Sequence, residues 1–441
     1  MLIPSFLVNP VDDLIDIQRS IELVGFAPGE TIEISSETRR PDGSVWQAAA
    51  SFTTRPDGSV SLLQDAAISG SYTGVSPMGL VWSQIEITPP TPARQPDPQE
   101  AIQPITVTLE AKAGGRIMAR GSFIQRYFAT GVVRRDVRED ALVGTLFLPA
   151  GEGPHPAVMI MNGSGGGINE QRAALYASRG YAALALGYFN APGLPKYISN
   201  TNLEYFQRGL RWIRREVRPA KDFVAITGQS RGGELVLLLG SLFPAEVSAV
   251  LAYVPAAYVH SGQSAANPEL GRNSATWLFQ GKPLPHLWEN NRTGTYEPYD
   301  SGPVPRRLEH ALKTALADRE AVDRSRIPVE NIRSPVLLVQ GTDDGWWPTD
   351  YYCDIVEKTL KDARHTYPVK RLRYVDAGHS ILFPYVPTTT IVQPHTMSGI
   401  LSTSGGTPEA NAVANEASWA DVQTFLRESL DAHRGNEGKT P

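Results

Sequence analysis

Between Ser20 and about Ile87, apolar and polar residues alternate in short runs broken by turns. Ile21 to Val24, Thr31 to Glu37, Val45 to Phe52 and Val60 to Leu62 read as strands with one buried face. Ala27-Pro28-Gly29, Arg40-Pro41-Asp42-Gly43 and Arg55-Pro56-Asp57-Gly58 supply the turns, proline presetting φ and glycine accepting positive values. Short strands at this spacing predict an antiparallel sandwich. Thr88 to Pro104 holds Pro89, Pro90, Pro92, Pro96, Pro98 and Pro104. That density forbids a helix and weakens any central strand, so an extended crossing is expected. Strand character resumes over Ile105 to Ala111 and Gly121 to Phe128, and a boundary falls near residue 128.

The pattern then changes. Ala157 to Met161, Ala182 to Leu186, Phe223 to Thr227, Val247 to Val254 and Val336 to Gln340 are short, nearly continuous apolar runs. Helical stretches fall among them, around Glu170 to Arg179, Asn202 to Val217 and Glu234 to Leu242. Strands apolar on both sides and alternating with helices predict a mostly parallel sheet covered on both faces. Two domains are expected, a β-sandwich over 1–128 and an α/β domain over 129–441. Arg434 to Pro441 reads as a frayed tail.

Composition narrows the function without choosing it. A net charge of −5 over 441 residues, with no basic cluster, argues against a nucleic-acid or anionic-membrane surface. Cys353 is the only cysteine, which removes internal disulfides, thiolate zinc sites and CxxC redox chemistry. No run approaches a membrane span, and the first residues show no basic, signal-like region. A cytoplasmic enzyme needing neither cofactor nor metal is the expectation. The sequence is silent on oligomeric state.

Candidate chemistry centres on Gly228-Gln229-Ser230-Arg231-Gly232. This is G-x-S-x-G between an apolar strand and a helix, the setting in which the motif presents a nucleophilic serine on a strained turn. Small residues are needed at Gly228 and Gly232, where backbones close in. The motif in this context predicts an α/β-hydrolase with Ser230 as nucleophile. A serine hydroxyl needs a base, and the base an orienting acid. In this fold the order is Ser, acid, His. The acid candidates follow the strand Val336 to Gln340, in Gly341-Thr342-Asp343-Asp344. Asp344 is preferred because Pro348 follows it four residues on, and Asp343 is read as a turn or capping residue. The base candidate is His379, in Ala377-Gly378-His379 after another strand. His260 and His395 have no such context and read as loop or lid residues.

Asn162-Gly163-Ser164-Gly165-Gly166-Gly167 follows the first apolar strand of the second half. No Gly-Lys-Ser/Thr follows it, which excludes a P-loop, and the spacing fits a dinucleotide fingerprint poorly. An oxyanion loop is the better reading, with a backbone N–H of Ser164 joining that of Arg231. Tyr258 to Pro305 is expected to build part of an acyl pocket or cap. Val386 to Gly406 reads equally as a lid or a surface excursion.

These residues sit in longer phrases that resemble one family. Gly25-Phe26-Ala27-Pro28-Gly29-Glu30 and Ser76-Pro77-Met78-Gly79-Leu80-Val81-Trp82 are similar to the N-terminal region of the acyl-CoA thioesterase and bile acid-CoA:amino acid N-acyltransferase family. Ser178-Arg179-Gly180-Tyr181, Leu186-Gly187-Tyr188-Phe189-Asn190, Ile327-Pro328-Val329-Glu330 and Gly378-His379 with Pro384-Tyr385 resemble its second domain. The resemblance implies an N-terminal β-sandwich, a Ser or Cys nucleophile with Asp and His at Ser230, Asp344 and His379, and attack on an acyl-CoA thioester, within fatty acid metabolism. A serine intermediate is an oxyester, less prone to aminolysis than a thioester, so water is the expected acceptor. Transfer to an amine or alcohol, and CoA-independent esterase, lactonase or amidase chemistry, are the alternatives. Gly345-Trp346-Trp347 departs from the family's usual His-Asn-Trp, and Arg231-Gly232-Gly233-Glu234 from its commoner counterpart. Both departures bear on acyl and CoA specificity.

Overall fold

The computed structural model describes residues 3–89 and 100–433. They fall into two compact units. One takes the chain up to Ala129 together with Leu382–Thr390, and the other takes Thr130–Ile381 and the chain from Ile391 onward.

The first unit is built from two sheets. Ser5–Asn9, Ser20–Val24 and Val60–Ser61 form one, and the second is centred on the antiparallel strands Thr31–Arg39, Val45–Thr53, Ile105–Ala113 and Arg116–Arg126. Thr31–Arg39 shows why the alternation was informative: Ile32 and Ile34 are fully buried while Thr31 and Glu33 are exposed. One edge departs from the antiparallel expectation, since Asp12–Leu14 pairs in parallel with Arg116–Arg126. Leu382–Thr390 is tied into this unit by hydrogen bonds to its backbone. The Thr388 N–H donates to the Trp82 carbonyl at 2.9 Å, and Gln125 Nε2 donates to the Tyr385 carbonyl at 3.1 Å. The middle of the proline-rich crossing, residues 90–99, lies outside the described residues, as does the tail from Arg434. On its flanks the chain is the strand Ile85–Thr88 and the single turn Glu100–Ile102.

Arg19 is fully buried in this unit. Its guanidinium donates to the carbonyls of Leu14 at 3.1 Å, Asp13 at 2.9 Å and Ile124 at 2.8 Å, and to that of Ile17. It thereby fastens the 13–17 turn to the sheet.

The second unit carries an eight-stranded sheet. Its strands in chain order are β1 (Val133–Val137), β2 (Val143–Leu148), β3 (Ala157–Met161), β4 (Ala182–Gly187), β5 (Val224–Gln229), β6 (Ala249–Tyr253), β7 (Val336–Gly341) and β8 (Val369–Tyr374). They lie in the order β1-β2-β4-β3-β5-β6-β7-β8, and only the β1–β2 and β2–β4 pairs are antiparallel. Every residue of β3, β4, β6 and β7 is buried, so neither face of the sheet's centre meets water. The helices α1 (Glu170–Ser178), α2 (Leu203–Val217), α3 (Arg231–Leu242), α4 (Thr349–Asp362) and α5 (Pro408–Ala432) cover it. This is the expected α/β-hydrolase arrangement. It puts the turn after β5, the loop after β3 and the loops after β7 and β8 at the carboxyl edge of one sheet, where such folds bind ligands. No helix among the described residues is long and apolar enough to cross a membrane.

Replacing Arg19 with methionine keeps the bulk but strands its carbonyl partners. We expect a loss of about 3 kcal/mol in denaturant-induced unfolding of the first unit. A change under about 1 kcal/mol would show that Arg19 only fills space.

Candidate active site

The turn after β5 is sharp because of what surrounds it. Ser230 sits at φ 60°, ψ −120°, a strained region for a residue with a side chain. Its N–H donates to the Tyr253 carbonyl at the end of β6 at 2.9 Å, which pins the turn to the sheet. The small flanking residues are required by crowding: a Cβ on Gly232 would come within 2.7 Å of the Asn162 carbonyl oxygen. Helix α3 starts at Arg231, three residues before the expected start at Glu234. The Arg231 N–H is therefore among the first amides of a helix, which have no intrahelical acceptor.

His379 and Asp344 come together in the loops after β8 and β7. His379 Nδ1 and Asp344 Oδ2 are 2.7 Å apart, with Asp344 5% and His379 8% exposed. The imidazole donates from Nδ1, which leaves Nε2 as the acceptor. Three further donors fix the carboxylate. Trp346 and Trp347 donate backbone N–H to Oδ1 at 2.8 and 2.9 Å, and Thr349 donates its hydroxyl to Oδ2 at 2.9 Å. Asp343 is turned elsewhere. It accepts from Arg307 at 2.8 Å and from the Gly406 N–H at 2.9 Å.

Ser230, His379 and the Asn162–Gly165 loop line one cavity of about 290 Å³. Ser230 and His379 share no direct hydrogen bond among the described residues; in serine hydrolases that contact often tightens only with substrate in place. Gly163 packs against the turn, and a Cβ there would sit 3.2 Å from that of Ser230. The loop is held by Asn190, whose amide donates to the Gly165 carbonyl at 2.8 Å, and by Asn162, whose amide donates to that of Gly166 at 2.7 Å. Ser164 also lines the cavity. All five residues singled out from sequence thus belong to the turn, loops and helix start around this cavity. Among the described residues no group of three His, Cys, Asp or Glu side chains could hold a metal ion.

Further contributors come from segments that the sequence marked only in outline. Residues 391–406 are no free surface excursion. Val392–Pro394 pairs with Leu401–Thr403 as a hairpin, and Gln393 to Thr396 line the cavity. Past the hairpin, the Ser404 carbonyl accepts the N–H of Gly345 at 3.0 Å and that of His379 at 2.9 Å. Gly405 lies at φ +73°, and a Cβ there would come within 1.8 Å of the Asp343 carbonyl oxygen. Gln229 donates to the His379 carbonyl at 3.1 Å. From the 258–305 segment, Gln263 and Ser264 reach the cavity, while Trp277, Trp288 and Tyr296 are buried in the core of the unit.

Arg231 was singled out for its backbone N–H, and its side chain proves to be part of the framework as well. It is fully buried and pairs with Glu234 at 2.8 Å, and it donates to the Ser261 carbonyl at 2.8 Å. Its guanidinium also lies over the Trp347 ring at 5.4 Å. Burial raises the Glu234 carboxyl above its ordinary value, against the pull of Arg231. His260, expected in a loop or lid, is fully buried against Trp347 and meets the Tyr352 hydroxyl at 3.0 Å. Burial, with Arg231 nearby, lowers its pKa well below the ordinary value.

Comparison with known proteins agrees with this architecture. Residues 16–139 match the family described as "Acyl-CoA thioester hydrolase/BAAT N-terminal region", and residues 201–432 match "BAAT / Acyl-CoA thioester hydrolase C terminal". Mitochondrial acyl-coenzyme A thioesterase 2 of Mus musculus is 32% identical over 416 residues, 93% of this chain and 86% of its own. Acyl-coenzyme A thioesterase 1 of Homo sapiens is 31% identical over 422 residues, 94% of each chain.

Two expectations follow. Asp344→Asn should lower kcat by about 10³–10⁴-fold through the wrong imidazole tautomer, while Asp343→Asn stays within about tenfold. The reverse ranking in a steady-state assay would exchange their roles. His260 is held neutral in the folded chain, so below its ordinary value of about 6.5 the unfolded chain binds the extra proton. Stability is then full above that pH and falls as the pH drops, by at most about 1.4 kcal/mol per unit from this group. Denaturant titrations of His260→Gln should show a shallower decline between pH 7 and pH 5 than the parent. Parallel declines would assign the proton uptake to other groups.

Proposed function

The chain belongs to the acyl-CoA thioester hydrolase/BAAT family, and from that premise we propose that it hydrolyses an acyl-CoA to the free acid and CoA through an acyl-Ser230 intermediate. His379 Nε2 takes the proton of the Ser230 hydroxyl as the oxygen attacks the acyl carbon. The Arg231 and Ser164 N–H groups hold the oxyanion that develops. The carbon–sulfur bond then breaks, and the departing sulfur takes the proton from His379. Water enters, gives a proton to His379 and attacks the ester, which releases the acid and returns the proton to Ser230. Asp344 keeps Nε2 free to accept and stabilises the imidazolium.

The observation that carries this reading is the 2.7 Å His379–Asp344 contact beside the strained turn of Ser230, in one cavity. The relatives add the donor, since they are acyl-coenzyme A thioesterases. The serine favours water as acceptor, because an oxyester resists attack by amines better than a thioester does.

Ser230→Ala should lower kcat/KM toward acyl-CoA by about 10⁴–10⁶-fold with the fold intact by circular dichroism. Free acid should stay the product when glycine or taurine is added. An active Ser230→Ala enzyme would sink the mechanism, and an N-acyl product formed at the expense of the acid would replace hydrolysis with transfer.

A further inference from the structure

The cavity beside Ser230 has a character that thioester cleavage does not by itself require. At about 290 Å³ it lies at the bottom of the roughly 300–1,000 Å³ range of small-molecule pockets. Beyond Ser230, His379 and the glycine loop, its polar wall includes Gln263, Ser264, Gln393, His395 and Thr396. Among the described residues lining it, Leu308 is the only open-chain aliphatic side chain. A long alkyl chain gains its affinity from continuous apolar wall. This wall is interrupted: beside Leu308, Pro394 and the Trp346 and Trp347 rings it presents amides, hydroxyls and an imidazole.

His395 is tightly constrained. It sits at the tip of the hairpin formed by Val392–Pro394 and Leu401–Thr403. Its backbone is closed into the turn, with the His395 N–H donating to the Ile400 carbonyl at 3.0 Å and the Gly399 N–H donating to the His395 carbonyl at 2.8 Å. Its ring packs on Trp346 with centroids 5.1 Å apart. Nδ1 accepts the backbone N–H groups of Met397 at 3.2 Å and Ser398 at 3.4 Å. A neutral imidazole whose Nδ1 accepts carries its proton on Nε2. That N–H meets no acceptor among the described residues. Burial, with His379 nearby, pushes the His395 pKa down to about 4, so the ring is an uncharged donor at neutral pH. Gln263 is held just as firmly, its carbonyl accepting from the buried Arg231 at 3.1 Å.

We propose that the acyl group taken by this site is short and carries its own oxygen function, a hydroxyl or carbonyl near the thioester, and that the His395 Nε2–H is the donor that binds it. This rests on the reading of Ser230 as an acyl-transfer centre and adds the substrate class. The physical reason is asymmetric selectivity. A pocket built to hydrogen-bond a substrate group loses its partners when a plain alkyl group enters, whereas an apolar pocket discriminates weakly. His395 is half-buried, so the discrimination expected is about 10–100-fold, below that of a fully enclosed site.

The test uses the full chain and a matched pair, β-hydroxybutyryl and butyryl, each presented as a CoA thioester and as a p-nitrophenyl ester, with palmitoyl-CoA alongside. The parent enzyme should favour the hydroxylated member by about 10–100-fold in kcat/KM with either leaving group, and palmitoyl-CoA should be the slowest thioester. His395→Phe should collapse that ratio toward one. His395→Gln, which returns an N–H near the same place, should restore part of it, mainly through KM. A merely structural role would lower both members of the pair together and leave the ratio intact, and that result would overturn the proposal. So would palmitoyl-CoA as the best substrate. If the preference holds for the aryl esters while CoA thioesters are not cleaved, the acyl assignment stands and the CoA donor falls.

Discussion

One carbonyl oxygen, that of Ser404, joins the parts on which the candidate chemistry depends. It accepts the N–H of Gly345, one residue after Asp344, and the N–H of His379. The loops after β7 and β8 are thus referred to a common point, and the 2.7 Å contact between their side chains inherits its precision from backbone. Such an arrangement requires three chain segments to approach more closely than side chains allow. Gly405 makes that possible at a positive φ, with the Asp343 carbonyl where its Cβ would be. An imidazole and a carboxylate set by loops alone would drift; set by shared backbone hydrogen bonds, they are preorganised before substrate arrives.

Beneath this clamp lies a buried ion pair. Arg231 and Glu234 are both fully buried, and the charges are stabilised by each other, by Trp277 and by carbonyls rather than by water. Buried pairs seldom add net stability, because the desolvation of two ions offsets their attraction. What this pair does is geometric. It fixes the side chain next to Ser230 beneath the Trp347 ring, and the Trp347 N–H in turn holds Asp344. The turn after β5 and the loop of Asp344 are therefore joined through one side-chain stack as well as through backbone.

Much of this was legible in the sequence, and what was not has physical reasons. The apolar strands β3 to β7 stand out because both their faces are buried. β1 was missed because Val133–Val137 is an edge strand whose Arg134, Arg135 and Asp136 read as loop. Helix α5 was missed because its buried face is built partly from Asn411, Asn415 and Ser418, which carry no apolar stripe. Asp344 could be preferred over Asp343 from the spacing to Pro348, and the structure turns Asp343 toward Arg307. Ser404 and His395 were beyond reach. One contributes only a carbonyl, which every residue has, and the other takes its meaning from two backbone amides brought round by a hairpin turn. Arg231 shows the same limit from the other side, since a charged residue after Ser230 gives no sign that it points inward.

The segment Leu382–Thr390 has a consequence in time. The first unit begins the chain but takes in residues that follow His379. On a ribosome making about 5–20 residues per second, its last piece emerges roughly 250 residues after the rest of it, on the order of tens of seconds later. Until then the Trp82 carbonyl lacks the Thr388 amide that it holds in the finished protein. The two units are interleaved in synthesis, so no single cut of the gene yields either one complete.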